Sequence, residues 1–315
     1  MKVLVTGGAG FIGSWLSRKI LNNGHQVVVA DNLSTGRREN VPTEAEFIHL
    51  DLSDDRNLSK LPQRIDLIYH LASQASGEVS YEDPVHDLRT NSLATLALLR
   101  WAKEHAVGKF IFTSTMGVYK DHLNSPADEA SPVCPKSFYG VNKQASEGFI
   151  RIFSEEGMRT TVLRLFNVYG PGQNMENLKQ GMISIYMAFI AKRQPIVVKG
   201  PLDRFRDFVF VDDVVDALIA AQAPLADGET YNVCTGRKTT VKKVLEVIIK
   251  SFGGEPNTYP INIEDRTPRD IDGCYGNFGK IMSELNWQPT VSLEDGIRKM
   301  VVSLQDRVSD AGAEV

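Results

Sequence analysis

The first residues of the chain constrain its fold more than any other segment. An apolar run over residues 3–6 leads into Gly7, Gly10 and Gly13, spaced G-x-x-G-x-x-G, and an amphipathic stretch over residues 11–23 follows. Gly7 permits a tight turn, Gly10 lets the backbone approach a pyrophosphate, and Gly13 allows close helix–strand packing. Unpaired N–H groups at a helix N-terminus attract phosphate. A glycine-rich turn alone is compatible with an ordinary loop, but between a strand and a helix it predicts a dinucleotide site.

Short apolar runs alternate with longer amphipathic stretches through the first half of the chain. The predicted helices cover residues 11–23, 92–105 and 137–157, and the predicted strands cover residues 2–6, 26–31, 46–50, 66–70, 108–114 and 160–165. Near-continuous apolar strands are typical of a sheet that is covered on both faces. Strands separated by helices form crossover units, so we expect an α/β fold with a Rossmann-like, doubly wound parallel sheet.

The pattern becomes irregular after about residue 166. Residues 166–204 contain a Gly-Pro-Gly turn, a polar loop and a helical stretch near 181–193, and residues 253–276 are rich in Gly, Pro and Asp. We interpret these stretches as a smaller C-terminal substrate-binding lobe built from loops, whereas residues 207–222 and 230–234 resemble a strand and a helix that return to the first domain. The predicted division is therefore a cofactor domain and a substrate lobe, over residues 1–165 with about 205–235, and over about 166–204 with 236–315.

Composition excludes several classes of protein. The chain has 315 residues, 42% of them hydrophobic, and a formal net charge of −4. Broad affinity for nucleic acid or for a membrane surface needs a basic face, so we expect neither partner. Cys134, Cys234 and Cys274 form no CxxC or Cys/His cluster, so we predict no disulfide framework and no metal site, in a reduced, cytoplasmic setting. We also expect neither a signal peptide nor a transmembrane helix.

Two carboxylates follow the second and third predicted strands. Asp31 stands where a carboxylate binds the adenosine ribose hydroxyls and repels a 2′-phosphate, which favours NAD over NADP. Arg37 and Arg38 lie close enough to weaken that preference, and the alternative for Asp31 is a turn carboxylate. Asp51 is a candidate for binding the adenine amino group, with Leu52 packed on the ring. The alternative for Asp51 is a helix N-cap.

Tyr139 and Lys143 are four residues apart on a predicted helix and therefore share one face. Thr115 follows a predicted strand, at the sheet edge where ligands bind in doubly wound folds. Lowering a tyrosine pKa by about three units needs roughly 4 kcal/mol, and one cation near 4 Å supplies about that much at an effective dielectric near 20. Lys143, aided by a positive nicotinamide, thus offers a route to a Tyr139 phenolate. Such a pair is also common on ordinary helices, and it indicates catalysis only beside the glycine turn.

These motifs together resemble the extended short-chain dehydrogenase/reductase family, and within it the NAD-dependent nucleotide-sugar epimerases and dehydratases. The resemblance covers nearly the whole chain. Its motifs are Gly7–Gly13, residues 31–34 (DNLS), 51–52 (DL), 70–73 (HLAS), Asn91, 113–115 (TST), 118–119 (VY), Tyr139-x-x-x-Lys143, 164–171 (RLFNVYGP) and 206–213 (RDFVFVDD).

The resemblance implies roles for individual residues. The implied catalytic residues are Thr115, Tyr139 and Lys143. The implied NAD contacts are Gly7, Gly10, Phe11, Ile12, Gly13, Asp31, Asn32, Ser34, Thr35, Gly36, Asp51, Leu52, Leu71, Ala72, Ser73, Gln74, Asn91, Thr113, Ser114, Tyr139, Lys143, Phe166 and Val168. The implied substrate contacts are Ser76, Thr115, Met116, Tyr139, Asn167, Arg206, Arg266, Arg269 and Cys274. Arginine suits the diphosphate because a guanidinium binds phosphate bidentately, although solvated surface charge is the alternative.

The two residues after Thr115 bear on the reaction. The resemblance implies an Asp-Glu pair there in dehydratases and commonly a glutamate at the second position in decarboxylases, whereas this chain has Met116 and Gly117. Loss of water from a 4-keto sugar needs a general acid and base, so we predict an NAD-dependent nucleotide-sugar 4-epimerase of the UDP-glucose/UDP-galactose type. The alternatives are a 4,6-dehydratase or decarboxylase on the same scaffold, and a non-catalytic NAD-binding regulator.

The resemblance also bears on assembly and on substrate size. Family members pair two helices into a dimer interface, and the corresponding predicted helices carry Leu96, Leu99, Phe149 and Phe153. We therefore predict a homodimer, with intramolecular core as the alternative role for these four residues. Cys274 aligns with the residue that limits room for a 2-acetamido group in the epimerases. A small side chain there predicts acceptance of N-acetylated sugars, unless Cys274 is an ordinary loop cysteine.

Overall fold

The computed structural model describes residues 1–121, 125–266 and 270–313. The helices are α1 Phe11–Asn22, α2 Gly77–Glu82, α3 Pro84–Leu88, α4 Ala94–Glu104, α5 Phe138–Glu155, α6 Met182–Ala191, α7 Val211–Ala220, α8 Val241–Ser251, α9 Gly279–Leu285 and α10 Leu293–Ala313. The strands are β1 Lys2–Thr6, β2 Gln26–Asp31, β3 Glu46–His49, β4 Leu67–His70, β5 Lys109–Thr115, β6 Thr160–Leu165, β7 Asn167–Tyr169, β8 Ile196–Lys199, β9 Phe205–Arg206, β10 Phe208–Phe210, β11 Glu229–Val233, β12 Thr239–Thr240, β13 Ile261–Glu264 and β14 Gly273–Cys274. Among these residues, no helix is long and apolar enough to cross a membrane.

Within the described residues, seven strands form one parallel sheet in the order β11-β6-β5-β4-β1-β2-β3. The predicted α/β, doubly wound fold is therefore confirmed, and each predicted strand is present to within one residue at either end. The strand order reverses between β1 and β4, where the loops that follow the two strands separate and leave a crevice. β11 joins the sheet beside β6, whereas β10 pairs with β7 outside it.

Helices cover both faces of the sheet, as the apolar strands predict. On one face α1 and α7 pack against Val3 and Val5, and on the other face α4 and α5 pack against Leu4. Alternate residues of a strand point to opposite faces, so a single buried strand contributes to both cores.

The four apolar residues that were predicted to form a subunit interface have different positions. Leu99 is fully buried within the core under α4 and α5, and Phe149 and Phe153 pack against that core. The prediction is therefore wrong for Leu99, because the sheet face uses this side chain as its own core. Leu96 is partly exposed.

The helix that was predicted over residues 92–105 is the end of a longer one. α3 continues through a π-helical turn, Arg89–Leu93, into α4. Such turns are rare and are frequent at functional sites. Asn91 is buried at the middle of this turn.

The C-terminal part of the chain contains regular structure where loops were predicted. α6, α8 and α10 surround a separate apolar core, and β13 pairs in parallel with β8. α6 matches the helix predicted near residues 181–193, and α8 and α10 lie outside the stretches predicted as loops. The prediction is wrong only where the short strands β7, β8, β13 and β14 form within those stretches. β13 alternates apolar and polar residues over only four positions and is mostly exposed, and its partner β8 is distant in sequence.

Candidate active site

The glycine turn between β1 and α1 has a geometry that glycine alone permits. Gly7 has a φ of +71°, and a Cβ atom there would lie 2.7 Å from the Ala72 nitrogen. A Cβ atom at Gly13 would overlap the Gly7 carbonyl oxygen, so any other residue would push α1 away from the turn. α1 begins after Gly10 without a side-chain cap. The N–H groups of its first turn are therefore available to an anion such as a pyrophosphate.

Asp31 ends β2 beside this turn. Its Oδ2 accepts a hydrogen bond from the Ala9 N–H at 3.0 Å, and its Oδ1 accepts one from the Leu33 N–H at 2.8 Å. Burial raises the pKa of this carboxyl group. The following loop turns back toward the glycines, because the Arg37 N–H donates to the Ala9 carbonyl at 3.1 Å. Residues 32–36 thus lie next to the glycine turn.

Asp51 and Leu52 follow β3 at the same edge of the sheet. Asp51 is exposed and its Oδ1 accepts a hydrogen bond from the Ser53 N–H at 2.8 Å, whereas Leu52 is buried. The helix N-cap that was the alternative for Asp51 is Asp54, which accepts from the Arg56 N–H. Asp51 therefore closes a turn.

Thr115, Tyr139 and Lys143 meet at the carboxyl end of β5. Thr115 is the last residue of this strand, and Tyr139 lies in the first turn of α5. The Tyr139 hydroxyl faces the side chains of Thr115 and Ser73, which both act to lower its pKa. One helical turn later, the Lys143 Nζ donates to the Thr113 carbonyl at 3.0 Å and lies 4.6 Å from the centre of the Phe112 ring.

The electrostatics of this pair differ from the sequence prediction. Burial raises the pKa of Tyr139 to about 12. Burial also lowers the pKa of Lys143 to about 7, opposed by the charges of Asp87 and Glu147. A phenolate at neutral pH is therefore not a property of the Tyr139–Lys143 pair alone. The prediction from the sequence considered only the Coulomb attraction between Lys143 and a Tyr139 phenolate. It omitted the desolvation of both side chains, which has the largest effect on both pKa values.

A buried polar network that the sequence analysis missed continues behind Tyr139. Ser73 donates from its Oγ to the Asn91 Oδ1 at 2.7 Å, and Asn91 donates from its Nδ2 to the Asp87 Oδ1 at 2.9 Å. The Asn142 Nδ2 donates to the other Asp87 oxygen at 2.6 Å. The available signal was the i,i+4 spacing of Asp87 and Asn91, since residues at that spacing share a helix face.

Ser114 lies in a second network. Its hydroxyl donates to Glu147 at 2.5 Å, and Arg164 forms two hydrogen bonds with the same carboxylate, at 3.0 and 2.7 Å. Thr113 instead donates to the His70 carbonyl at 3.2 Å. Adjacent residues of a strand point to opposite faces, so Ser114 is directed away from Thr113 and Thr115.

Other predicted cofactor residues lie around the ends of β4 and β6. The Ala72 N–H donates to the Thr6 Oγ1 at 3.2 Å, which holds the segment after β4 against the end of β1. Gln74 donates from its Nε2 to Asp87 at 2.7 Å. Phe166 is buried beside β6, and Val168 is partly exposed. These positions surround the sheet crevice; their contacts with a cofactor remain predictions.

A cavity of about 600 Å³ opens beside Thr115 and Tyr139. Most predicted substrate residues line it, namely Ser76, Thr115, Met116, Tyr139, Asn167, Arg206 and Cys274. Its volume is in the range of small-molecule sites. The sequence analysis missed one wall formed by α2 and another formed by α6, whose Ile185, Tyr186 and Phe189 face the cavity.

Two polar side chains in the cavity wall suit a charged ligand. The Asn167 Oδ1 is buried and has no hydrogen-bond partner among the described residues. Arg206 is buried and donates from its Nη2 to the Asp270 Oδ1 at 2.7 Å. An unpaired buried acceptor is costly, so Asn167 favours a donor from a bound molecule.

The other two predicted arginines are placed differently. Arg266 is half-exposed, forms an ion pair with Asp272 and is not part of the cavity wall. Its role in binding a diphosphate stays a prediction. Arg269 lies outside the described residues.

Two carboxylates in the cavity wall are engaged by lysines. Glu78 on α2 forms an ion pair with Lys199 at 3.1 Å, and the buried Asp121 forms one with Lys136 at 2.7 Å. Within the described residues, no cluster of His, Cys, Asp and Glu could hold a metal ion.

Comparison with known proteins identifies the family. Residues 3–234 match the NAD dependent epimerase/dehydratase family, and the chain belongs to this family. The resemblance inferred from the motifs is thereby confirmed.

Individual relatives span the whole chain. A UDP-glucose 4-epimerase of Mycolicibacterium smegmatis is 34% identical, over 96% of this chain and 97% of that protein. UDP-glucuronic acid decarboxylase 1 of Arabidopsis thaliana is 30% identical, over 98% of this chain and 71% of that protein. The crystal structure of UDP-glucose 4-epimerase from Thermotoga maritima with UDP-glucose has a TM-score of 0.93 and 34% identity, covering 98% of this chain and 100% of that one.

Proposed function

We propose that this protein is an NAD-dependent 4-epimerase of UDP-sugars of the glucose/galactose type. The observation that carries the proposal is the Thr115–Tyr139 pair at the wall of a cavity in which positions 116 and 117 hold no titratable group. The similarity to UDP-glucose 4-epimerases over nearly the whole chain supports the same reaction. The cofactor domain is then formed by residues 1–165 and about 205–235, and the substrate lobe by about 166–204 and 236–315.

The chain's own groups account for proton movement at the sugar. Bound NAD supplies the acceptor, and then the donor, for the C4 hydrogen. Tyr139 as phenolate removes the proton from the O4 hydroxyl and returns it after the 4-keto sugar has turned over. The Thr115 Oγ1 already accepts from the Gly117 N–H at 3.1 Å, so its own proton is available to the reacting oxygen or to the phenolate. Lys143 stabilises the phenolate by its positive charge.

We propose one group of residues for binding NAD and another for binding the sugar nucleotide. The glycine turn and Asp31 suit the pyrophosphate and ribose of NAD. Arg206 suits the diphosphate of the sugar nucleotide, because it offers a buried guanidinium at the cavity wall. The unpaired Asn167 Oδ1 instead suits a donor such as a hydroxyl, and Asn167 can bind a phosphate only through its Nδ2.

Two alternatives remain as outcomes of the tests. A dehydratase needs an additional acid and base, and candidates in the cavity wall are Glu78 and Asp121, which are engaged by lysines. The decarboxylase relative favours keeping a decarboxylase in this alternative. A non-catalytic NAD-binding regulator would retain the cofactor and turn over no sugar nucleotide.

The product of the reaction distinguishes these enzymes. With UDP-glucose we expect the C4 epimer at unchanged mass, with no loss of water or carbon dioxide and no net NADH, as judged by mass spectrometry and sugar-proton NMR. Tyr139→Phe should reduce kcat by about a hundredfold or more, the usual scale for a general base. Tyr259→Phe, in a partly buried ring outside the cavity, is the matched control. A product lighter by one water would assign elimination to Glu78 or Asp121 and end the epimerase proposal.

The cofactor prediction is tested on the purified protein. NAD regenerated in each cycle should remain bound, so denatured protein should release NAD rather than NADP. Asp31→Asn should reduce the preference for NAD over NADP by about tenfold, since it removes repulsion of a 2′-phosphate. Glu44→Gln removes an exposed carboxylate and serves as the charge control. Release of NADP, or unchanged preference in Asp31→Asn, would contradict the assignment.

Cys274 is proposed to set the room available at C2 of the sugar. It lies in β14, is 6% exposed and lines the cavity beside Arg206. Wild type should turn over UDP-N-acetylglucosamine, and Cys274→Tyr should lose that activity at least about tenfold more than activity on UDP-glucose, as steric exclusion requires. Cys134→Tyr is the control, because Cys134 is exposed and outside the cavity wall. Equal loss on both substrates would remove the argument.

A homodimer is proposed from the outer surfaces of α3 to α5. Val85, Leu88 and Leu93 are 56%, 49% and 49% exposed, and on α5 Val141 and Ile152 are 49% and 47% exposed. Val141 and Ile152 are about three helical turns apart and therefore share a face. Exposed apolar side chains grouped in this way are typical of a protein interface.

The dimer is tested by charge insertion. Val141→Glu combined with Ile152→Glu should convert a dimer to a monomer at micromolar concentration in light scattering, because two charges would be buried in the interface. Leu225→Glu is the control, since Leu225 is 62% exposed and lies away from these helices. A monomeric wild type would refute the proposal.

The cellular setting stays a prediction. Cys134, Cys234 and Cys274 are all free thiols in the structure. This state agrees with the reduced, cytoplasmic environment expected from the sequence.

A further inference from the structure

Asp87 is a fully buried carboxylate in the polar network behind Tyr139, and the proposed mechanism leaves it without a role. It lies at the end of α3, immediately before the π-helical turn, and is 0% exposed. Among the described residues, its oxygens accept side-chain hydrogen bonds from amides: Gln74 at 2.7 Å, Asn91 at 2.9 Å and Asn142 at 2.6 Å. Amides satisfy a carboxylate's lone pairs but do not neutralise its charge. A buried charge needs a countercharge, and the fold must supply one nearby.

The candidate is the Lys143 ammonium, which is 2% exposed and forms no ion pair with another described residue. Asp87 and Lys143 interact electrostatically, and Asn142, which bonds Asp87 directly, is the chain neighbour of Lys143. On α5 itself, Tyr139 and Glu147 face Lys143, and on β5 the Phe112 ring and the Thr113 carbonyl do so. His70 on β4 is the remaining titratable neighbour, and burial lowers its pKa to about 3, so it is neutral.

Glu147 is a weaker candidate for the countercharge because it has a cation of its own. Arg164 binds its carboxylate bidentately at 3.0 and 2.7 Å. The Arg164 guanidinium therefore neutralises most of the Glu147 charge. Asp87 has only amide partners, so its charge is not neutralised in this way.

We propose that Asp87 is a positioning residue of the active site, whose buried carboxylate keeps Lys143 an ammonium ion while Tyr139 is ionised. Loss of one proton from the pair leaves two forms of equal net charge: ammonium with phenolate, or neutral amine with phenol. Only the first provides a base for O4. Asp87 stabilises the first form where its attraction to Lys143 exceeds its repulsion of Tyr139. A bound oxidised nicotinamide would add a positive charge to the site. The Asp87 carboxylate would then balance that charge together with the phenolate.

The direct test observes Lys143 and does not depend on the proposed function. Lysine labelled with carbon-13 at Cε is incorporated, and the NMR signal that is absent from Lys143→Met is assigned to Lys143. In Asp87→Asn, with or without added NAD, the pKa of Lys143 should fall by about one unit relative to wild type. Asp83→Asn is the matched control: it removes an exposed carboxylate one turn earlier on the same helix and keeps a residue that caps α3 equally well.

The kinetic test rests on the proposed function. If the protein is a 4-epimerase, kcat of Asp87→Asn should fall at high pH, and the alkaline limb of its pH profile should move down by about one unit, while KM changes little. A merely structural role would lower kcat equally at every pH and lower the melting temperature. The Lys143 titration decides the inference even if no sugar nucleotide is turned over, so the two failures are distinguishable.

A reciprocal measurement covers the case in which Asp87→Asn does not fold. Coupling between two charges acts on both, so in Lys143→Met the Asp87 carboxyl, observed by carbon-13 at Cγ, should titrate at higher pH than in wild type. Unchanged titration of Lys143 in Asp87→Asn, or of Asp87 in Lys143→Met, would overturn the proposal. A shift of both in the stated directions supports it.

Discussion

A buried ammonium group at the contact of α5 with β5 is the constraint on which the rest of the active site depends. Moving a charge out of water costs several kcal/mol even after the surroundings relax. Lys143 is 2% exposed, and its Nζ is held by the Thr113 carbonyl and the Phe112 ring on β5, and by the charge of Asp87 on α3. These partners belong to different elements, so α3, α5 and β5 must be in one relative position for Lys143 to be satisfied. That position also brings Tyr139 into contact with Thr115.

The parts of this arrangement that the sequence predicted are those encoded over a few residues. The glycine turn needs a strand, three glycines and a helix in immediate succession, and Gly7 and Gly13 leave no space for a side chain. Tyr139 and Lys143 are likewise one helical turn apart, so their common face follows from helix geometry. Strand runs that are apolar throughout likewise predict a sheet covered on both faces.

The parts that the sequence did not predict depend on contacts between distant segments. The contacts of Asp87 form only because α3 packs against α5. Similarly, β13 forms only because it pairs with the distant strand β8. The pKa directions at Tyr139 and Lys143 were also beyond the sequence, because they are governed by burial, which spacing does not report. Leu99 shows the same limit: an apolar residue on a helix serves the core or an interface equally well until the packing of that helix is known.

The side chains at two positions after Thr115 distinguish epimerisation from elimination on this fold. Thr115 ends β5, where it pairs with Leu165 of β6, and the short turn that follows is capped by its own hydroxyl, which accepts the Gly117 N–H. The side chains at positions 116 and 117 are thereby fixed beside the reacting carbon, whatever they are. Met116 lines the cavity without a proton to give, and Gly117 has no side chain. The carboxylates that do line the cavity are Glu78, Asp121 and Asp270, and each would have to break an ion pair with a lysine or an arginine before taking part. With the acid and base for elimination missing at the two positions that the strand fixes, a 4-keto sugar in this cavity retains its water, and return of the hydrogen to C4 is the reaction that remains.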